Sequence, residues 1–294
     1  MEITAAMVKE LRTRTGAGMM ECKKALQEAG GNMEGAIEAM RKSGLAKADK
    51  KAGRVAAEGV IVARLGDDAR VGAMVEINSE TDFVAGNDEF KAFAARVAAR
   101  VLEQAPADLA ALNALPAGDG DQRDIATATK ELVAKIGENI EVRRFARREA
   151  TVGHLASYLH GNRIGVLVEY TGDEQVGRDL AMHVAASRPV ALRADDVPAD
   201  DIERERGILE EQARVSGKPE EIVKKMVDGR MRKYLGEITL LGQPFVKDPD
   251  QTVEKMLEEK GASVQFFERF EVGEGKEKKS GNFADEVMAQ VKGA

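Results

Sequence analysis

Val71-Gly72-Ala73-Met74-Val75-Glu76 and Ile164-Gly165-Val166-Leu167-Val168-Glu169 are one pattern written twice. Each run is apolar enough for a buried strand and ends on a glutamate. Each follows a second strand-like run: Val60–Leu65 with a Gly66-Asp67-Asp68 turn, and Gly153–Leu159 with a His160-Gly161-Asn162-Arg163 turn. Each precedes a helical pattern, Phe90–Leu102 and Val176–Ser187, in which Arg96-Val97-Ala98-Ala99 answers His183-Val184-Ala185-Ala186. Two hairpin-plus-helix units predict an α+β fold built from a duplicated antiparallel subdomain. The copies differ in length. Val75 and Val97 stand 22 positions apart, whereas Val168 and Val184 stand 16 apart. The first copy therefore holds an insertion, which contains Glu80-Thr81-Asp82-Phe83-Val84-Ala85-Gly86-Asn87.

Outward from the repeat, the first 45 residues predict three short helices. Thr4 caps a stripe of Met7, Val8 and Leu11, and Gly16 or Gly18 follows. A second helix from Met19 to Ala29 aligns Cys22, Ala25, Leu26 and Ala29 and stops at Gly30-Gly31. Asn32 caps a third, with Met33, Ile37 and Met40 inward and Gly44 at its end. The lysine-rich Lys42–Arg54 reads as a solvated basic linker or as an extra helix lying on a partner. After the first copy, Ala105–Gly120 reads as a loop with a short helix, Asp124–Ile136 as a helix ended by Gly137, and Asn139–Glu149 as an arginine-rich strand. Residues 197–235 predict a helical hairpin turning at Ser216-Gly217-Lys218. Its apolar positions are sparse: Ile202, Leu209 and Ala213, then Ile222, Met226 and Met231. Such a hairpin projects into solvent or leans on a partner. Strands at Glu237–Leu241 and Phe266–Val272 flank a helix at Thr252–Lys260, and a terminal helix is expected at Phe283–Val291.

Composition narrows the function. A length of 294 residues allows two domains at about 150 residues each. The net charge of −7 disfavours a dedicated nucleic-acid binder. The single cysteine, Cys22, excludes an internal disulfide and fits a reducing compartment. No run is long enough to span a membrane, and Met1–Arg14 lacks the apolar stretch of a signal peptide, so a cytoplasmic protein is expected. The three histidines are scattered, and no His or Cys pair has zinc spacing, so no metal is expected. Neither Gly16-Ala17-Gly18 nor Gly273-Glu274-Gly275-Lys276 completes a phosphate-binding pattern, so neither nucleotide binding nor any other cofactor is expected of this chain. No nucleophile–base grouping suggests an enzyme.

The remaining signals point to protein contact. Met19-Met20 opens a small helix, where about 100° separates neighbours and only one enters the core easily. The alternative is that both cover the module's own core. Phe83 is one of nine phenylalanines in a chain with no tryptophan. Placed beside Asp82 in the insertion, it reads either as a wedge for another protein or as a residue folded back on its own sheet. Arg143, Arg144, Arg147 and Arg148 resemble a nucleic-acid stripe. At strand spacing they divide between two faces with acids nearby, which favours a solvated surface.

The segment Leu11-Arg12-Thr13-Arg14-Thr15-Gly16-Ala17-Gly18-Met19-Met20-Glu21-Cys22-Lys23-Lys24-Ala25-Leu26 closely resembles the N-terminal signature of the bacterial translation elongation factor Ts family. Thr81-Asp82-Phe83-Val84-Ala85 resembles its second signature. Leu132–Asn139, His160–Gly165, Met182–Ala186 and Gly242–Val246 match in order along nearly the whole chain. The resemblance implies a guanine-nucleotide exchange factor for elongation factor Tu, without covalent chemistry. It implies a three-helix module similar to ubiquitin-associated domains (residues 1–54 with the linker) and core subdomains at 55–140 and 141–275. The second subdomain carries an inserted coiled-coil hairpin, the mark of the family's long form, and a helical module follows at 276–294. By the same resemblance, Leu11, Arg12, Met19, Met20 and Lys23 dock on the GTPase. Thr81, Asp82, Phe83 and Val84 reach its magnesium and phosphate region, Ile136 and Gly137 support them, and His160 meets the non-catalytic part. The helix at Phe283–Val291 would add a clamp. The stoichiometry is open between 1:1 and 2:2. Gly86 stands where relatives often carry Lys or Arg, and Ser79 where many carry Cys.

Overall fold

The computed structural model describes residues 3–118, 120–215 and 217–276. The chain opens with α1 (Ala5–Thr15), α2 (Met19–Glu28) and α3 (Met33–Lys51). Thr4 caps α1 by accepting the Met7 N–H, and Asn32 caps α3 by accepting that of Gly35. Val8, Leu11, Cys22, Ala25, Leu26 and Ala36 form the buried core, with Met7, Ala29, Met33, Ile37 and Met40 packed against it.

The hairpin β1 (Glu58–Leu65) and β2 (Val71–Ser79) leads to the one-turn helix α4 (Asp82–Ala85) and the long α5 (Asp88–Gln104). Then come α6 (Leu109–Ala114), the small pair β3 (Pro116–Gly118) and β4 (Asp121–Asp124), α7 (Ile125–Ile136) and β5 (Ile140–Glu149). The second copy runs β6 (His154–His160), β7 (Ile164–Thr171) and α8 (Glu174–Ser187). A helical hairpin of α9 (Ala199–Arg214) and α10 (Glu220–Ile238) follows. The chain then forms β8 (Pro244–Phe245), β9 (Asp248–Thr252), α11 (Val253–Glu259) and β10 (Ser263–Glu271).

The duplication is explicit in the sheets. One has the order β1-β2-β5 and the other β10-β7-β6, so the repeated hexapeptide forms the central strand of each. In the second sheet both pairings of β7 are antiparallel. Gly59 and Gly153 occupy matching places at the entry to the first strand. Their φ values are 142° and 65°, and a Cβ at either would collide with a central-strand carbonyl, of Ile77 or Tyr170.

The chain divides into two compact units. Among the described residues, one takes residues 3–61, Val75–Phe145 and residues 272–276; the other takes Val62–Met74 and Ala146–Glu271. In the first, α5 buries Phe90, Phe93, Val97 and Val101, and α7 buries Ile125, Leu132 and Val133. In the second, Val166, Val168 and Tyr170 of β7 pack with Val176, Leu180 and Val184 of α8 and with Val253, Met256 and Leu257 of α11. There the His183-Val184-Ala185-Ala186 and Gln243–Val246 segments meet. Buried His183 accepts the Val246 N–H at Nδ1 and pairs with Gln243 through Nε2. Gln243 in turn donates to the Ser187 and Glu237 carbonyls.

The glutamate that ends each hexapeptide is fully buried. Glu76 accepts from Arg143 (2.9 Å), Arg144 (2.6 Å), the Asn78 amide (3.0 Å) and the Gly273 N–H (2.8 Å). Burial alone would raise its pKa, but these donors hold it below the usual carboxylate range. Glu169 accepts from Arg148 (2.8 Å), both the N–H and hydroxyl of Thr151 (2.6 Å each) and the Val152 N–H (3.1 Å). Against the same burial penalty, these donors hold its pKa at about 2.

Several expectations need correction. Lys42–Arg54 is neither a linker nor a separate helix: α3 runs through Gly44 to Lys51 and packs on α7. Gly44 permits the close approach, since a Cβ there would lie 3.0 Å from that of Ala134. Glu237–Leu241 is not a strand. Glu237 and Ile238 end α10, and Thr239 makes a single bridge to Ala191. The short β3–β4 and β8–β9 pairs had no pattern long enough to predict them. In the hairpin, Val223 and Val227 join Leu209, Ala213 and Met231 inside, while Ile222 is exposed and Met226 half-buried. The first half of the second arm is thus turned by one residue, about 100°, while Met231 lies inside as expected. The four arginines of β5 are half-buried and ion-paired rather than solvated. The helix expected at Phe283–Val291 lies outside the described residues.

Glu169→Ala leaves Arg148 and the Thr151 and Val152 N–H groups without their buried acceptor and should destabilise the fold by about 3–5 kcal/mol at pH 7. A folded-state pKa near 2 against an ordinary 4.5 means that this contribution is complete above about pH 4.5 and is lost as pH falls toward 2. Thermal unfolding of wild type and variant should therefore converge across that window.

Candidate functional site

The insertion of the first repeat forms an exposed knuckle. Thr81 has extended backbone and starts α4, a helix too short to persist alone. Val84 is buried and anchors it, while Asp82 and Phe83 face outward. Phe83 is 86% exposed, the most exposed aromatic residue among those described. Asn87 then starts α5 by accepting from the Glu89 and Phe90 N–H groups, and fully buried Phe90 fixes that end.

The turn after α7 supports the knuckle. Gly137 ends α7 in the left-handed conformation (φ 95°) and sends Glu138 back toward Thr81. Glu138 accepts the Thr81 N–H at 3.0 Å and its hydroxyl at 2.8 Å. In the opposite sense, Glu80 accepts the Asn139 N–H at 2.6 Å. Lys51 at the end of α3 donates to the Gly137 carbonyl at 2.7 Å, and the Asn139 amide donates to the Arg54 carbonyl at 2.8 Å. Ile136 and Gly137 are half-buried at this joint.

The N-terminal module reaches the same place. Lys135 of α7 passes so close to Gly16 that a Cβ there would strike its side chain, and it pairs with Glu89 of α5 at 2.7 Å. Gly16 closes α1 at φ 69° and Gly18 precedes α2, whose first residues are Met19 and Met20. Both methionines are exposed, at 46% and 76%, so neither enters the core. Arg12 and Lys23 are also exposed. Leu11 is not: its side chain is fully buried in the module. Leu11 and Val84 therefore support the surface from beneath. His160 ends β6 in the other unit, exposed, with Nδ1 3.3 Å from the Tyr158 hydroxyl. Sequence reading missed Glu138, Glu80 and Lys51. Their only signal was proximity to segments already singled out.

Among the described residues, no group of His, Cys, Asp or Glu could hold a metal ion, and no helix is long and apolar enough to cross a membrane.

Comparison with known proteins gives the family. The model for "Elongation factor TS" matches residues 80–274. The chain belongs to the elongation factor Ts family. The elongation factor Ts of Alkalilimnicola ehrlichii is 61% identical over 295 residues, covering 100% of both chains. That of Halorhodospira halophila is 61% identical over 99% of both, and that of Thioalkalivibrio sulfidiphilus 60% identical over 100% of both. Membership of the elongation factor Ts family makes the chain a protein-biosynthesis factor of the nucleotide-exchange class.

Burial separates support from surface. Leu11→Ala should cost about 2–5 kcal/mol of stability, as expected for a core cavity. Met20→Ala should change stability by less than about 0.5 kcal/mol. Urea unfolding of the two variants checks both values.

Proposed function

We propose that this chain accelerates GDP release from elongation factor Tu and holds the GTPase nucleotide-free until GTP binds. The observation that carries the reading is Phe83: a large apolar side chain, 86% exposed, on a knuckle tied down on both sides. Exposure of a phenylalanine to water has no stabilising role in the free protein. Its burial becomes favourable only when a partner opens a place for it.

Arg12, Met19, Met20 and Lys23 form the docking face of a module similar to ubiquitin-associated domains. Flexible thioethers suit an adaptable helix-to-helix contact. Phe83, with Asp82 beside it, enters between helices next to the magnesium and phosphate region, and Ile136 and Gly137 back it. His160 engages the part of the GTPase outside the nucleotide domain, and the hairpin of α9 and α10 is the coiled coil of the family's long form. The site of action is the cytoplasm.

The mechanism is differential binding. A factor that binds the nucleotide-free GTPase more tightly than the GDP-bound form must weaken GDP binding by the same factor. Burial of Phe83 only in the displaced state supplies such a difference. The effect is to loosen magnesium coordination and turn backbone donors from the β-phosphate. GTP, in excess, then rebinds and expels the factor. No covalent bond changes, and no cofactor is required of this chain.

Burying a phenylalanine is worth about 1.5–3 kcal/mol, so Phe83→Ala should slow catalysed GDP release by about 10- to 100-fold. The thermal midpoint should not move, because the side chain contributes little to the free fold. Stopped-flow release of a fluorescent GDP from elongation factor Tu reads the rate. An unchanged rate in the folded variant contradicts this role.

A further inference from the structure

Asp82 and Phe83 have no packing of their own to hold them. They sit on a single helical turn, far below the length at which helix is stable. What holds that turn lies beneath it. The Glu138 carboxylate takes both donors of Thr81, one on each oxygen. Two contacts on one residue set its rotation as well as its place, and so set the direction of the next two side chains. With its hydroxyl committed to Glu138, Thr81 makes no side-chain cap bond to α4. Its carbonyl accepts from the Ser79 hydroxyl at 2.9 Å, which fixes the strand side of the same residue. The reciprocal bond, Asn139 N–H to Glu80, and an ion pair of Glu80 with Arg54 at 3.6 Å keep the two segments from sliding.

We propose that Glu138 is the positioning residue that aims Phe83, acting through Thr81 and without touching the partner. The inference rests on the exchange reading above. A loosened knuckle presents Phe83 correctly for only a fraction of the time. That fraction multiplies the wedging step and leaves docking through Met19 and Met20 intact. Glu138 therefore governs the maximal rate of catalysed GDP release rather than the concentration needed for half of it.

The test is a double-mutant cycle of Glu138→Ala and Phe83→Ala, with Glu138→Gln as the conservative variant and thermal midpoints measured throughout. Glu138→Ala should lower the maximal release rate by about tenfold, the effect of losing charge-assisted hydrogen bonds, with the half-saturating concentration unchanged. Glu138→Gln keeps one acceptor for Thr81 and should recover part of the loss. In the Phe83→Ala background, Glu138→Ala should have no further effect. The inference is overturned if Phe83→Ala slows release while Glu138→Ala leaves the maximal rate unchanged, raises only the half-saturating concentration, or acts equally in both backgrounds. If Phe83→Ala itself has no effect, the wedge reading fails and this inference fails with it. If Glu138→Ala is unfolded, Glu138→Gln carries the same cycle.

Discussion

The Glu76 and Glu169 carboxylates lie at matching points of the two central strands, fully buried, and each accepts at least four hydrogen bonds. A lone carboxylate in such a place would be severely destabilising. The donors that answer Glu76 come from segments far apart in sequence, whereas those that answer Glu169 lie within residues 148–152. For Glu76 these include β5 and the turn at Gly273; for Glu169, Arg148 and the segment before β6. Glu76 therefore gathers separate stretches of chain onto its sheet, and Glu169 a single one. Arg143, Arg144 and Arg148 of β5, which look like part of a surface stripe in sequence, are occupied with this work, while Arg147 pairs with Glu149.

The same chemistry recurs at the functional surface on a smaller scale. Glu138 and Glu80 bind backbone N–H groups across the gap between the knuckle and the turn after α7. Lys51 and the Arg54 carbonyl bring the end of α3 to that turn, and Lys135 lies against the α1–α2 turn at Gly16. The proposed docking face and the proposed wedge thus belong to one unit of the fold. The proposed exchange mechanism gains from this arrangement. A wedge on a slack tether would surrender its binding energy to ordering the tether, whereas a pre-set one retains it for displacing the partner.

Much of this was legible in the sequence because period and punctuation carry it. The hexapeptide repeat located both central strands, and Thr4, Asn32 and Gly137 marked helix ends that the structure reproduces. The lost elements had weak local signals. At Gly44, glycine reads as a stop when only the local chain is considered; its actual role is a close approach to Ala134, a tertiary fact. In α10, Ile222 and Val223 are adjacent and both apolar, so composition could not choose the buried face. Phe83 could be placed in an insertion, but its exposure depended on Val84 being the anchor, and one turn of helix has no period to show that. Leu11 sits within a family signature yet is core, because a signature records structural and contacting residues alike.

A surface that favours the nucleotide-free partner acts catalytically, and turnover reveals that directly. The measurement is release of fluorescent GDP from purified elongation factor Tu over a range of substoichiometric amounts of this protein. The expected result is a saturable acceleration, each copy of the protein discharging many copies of the GTPase. Release at the spontaneous rate, with the protein folded and bound to elongation factor Tu, would contradict it and leave the Met20 and Phe83 surface as a binding face without exchange activity.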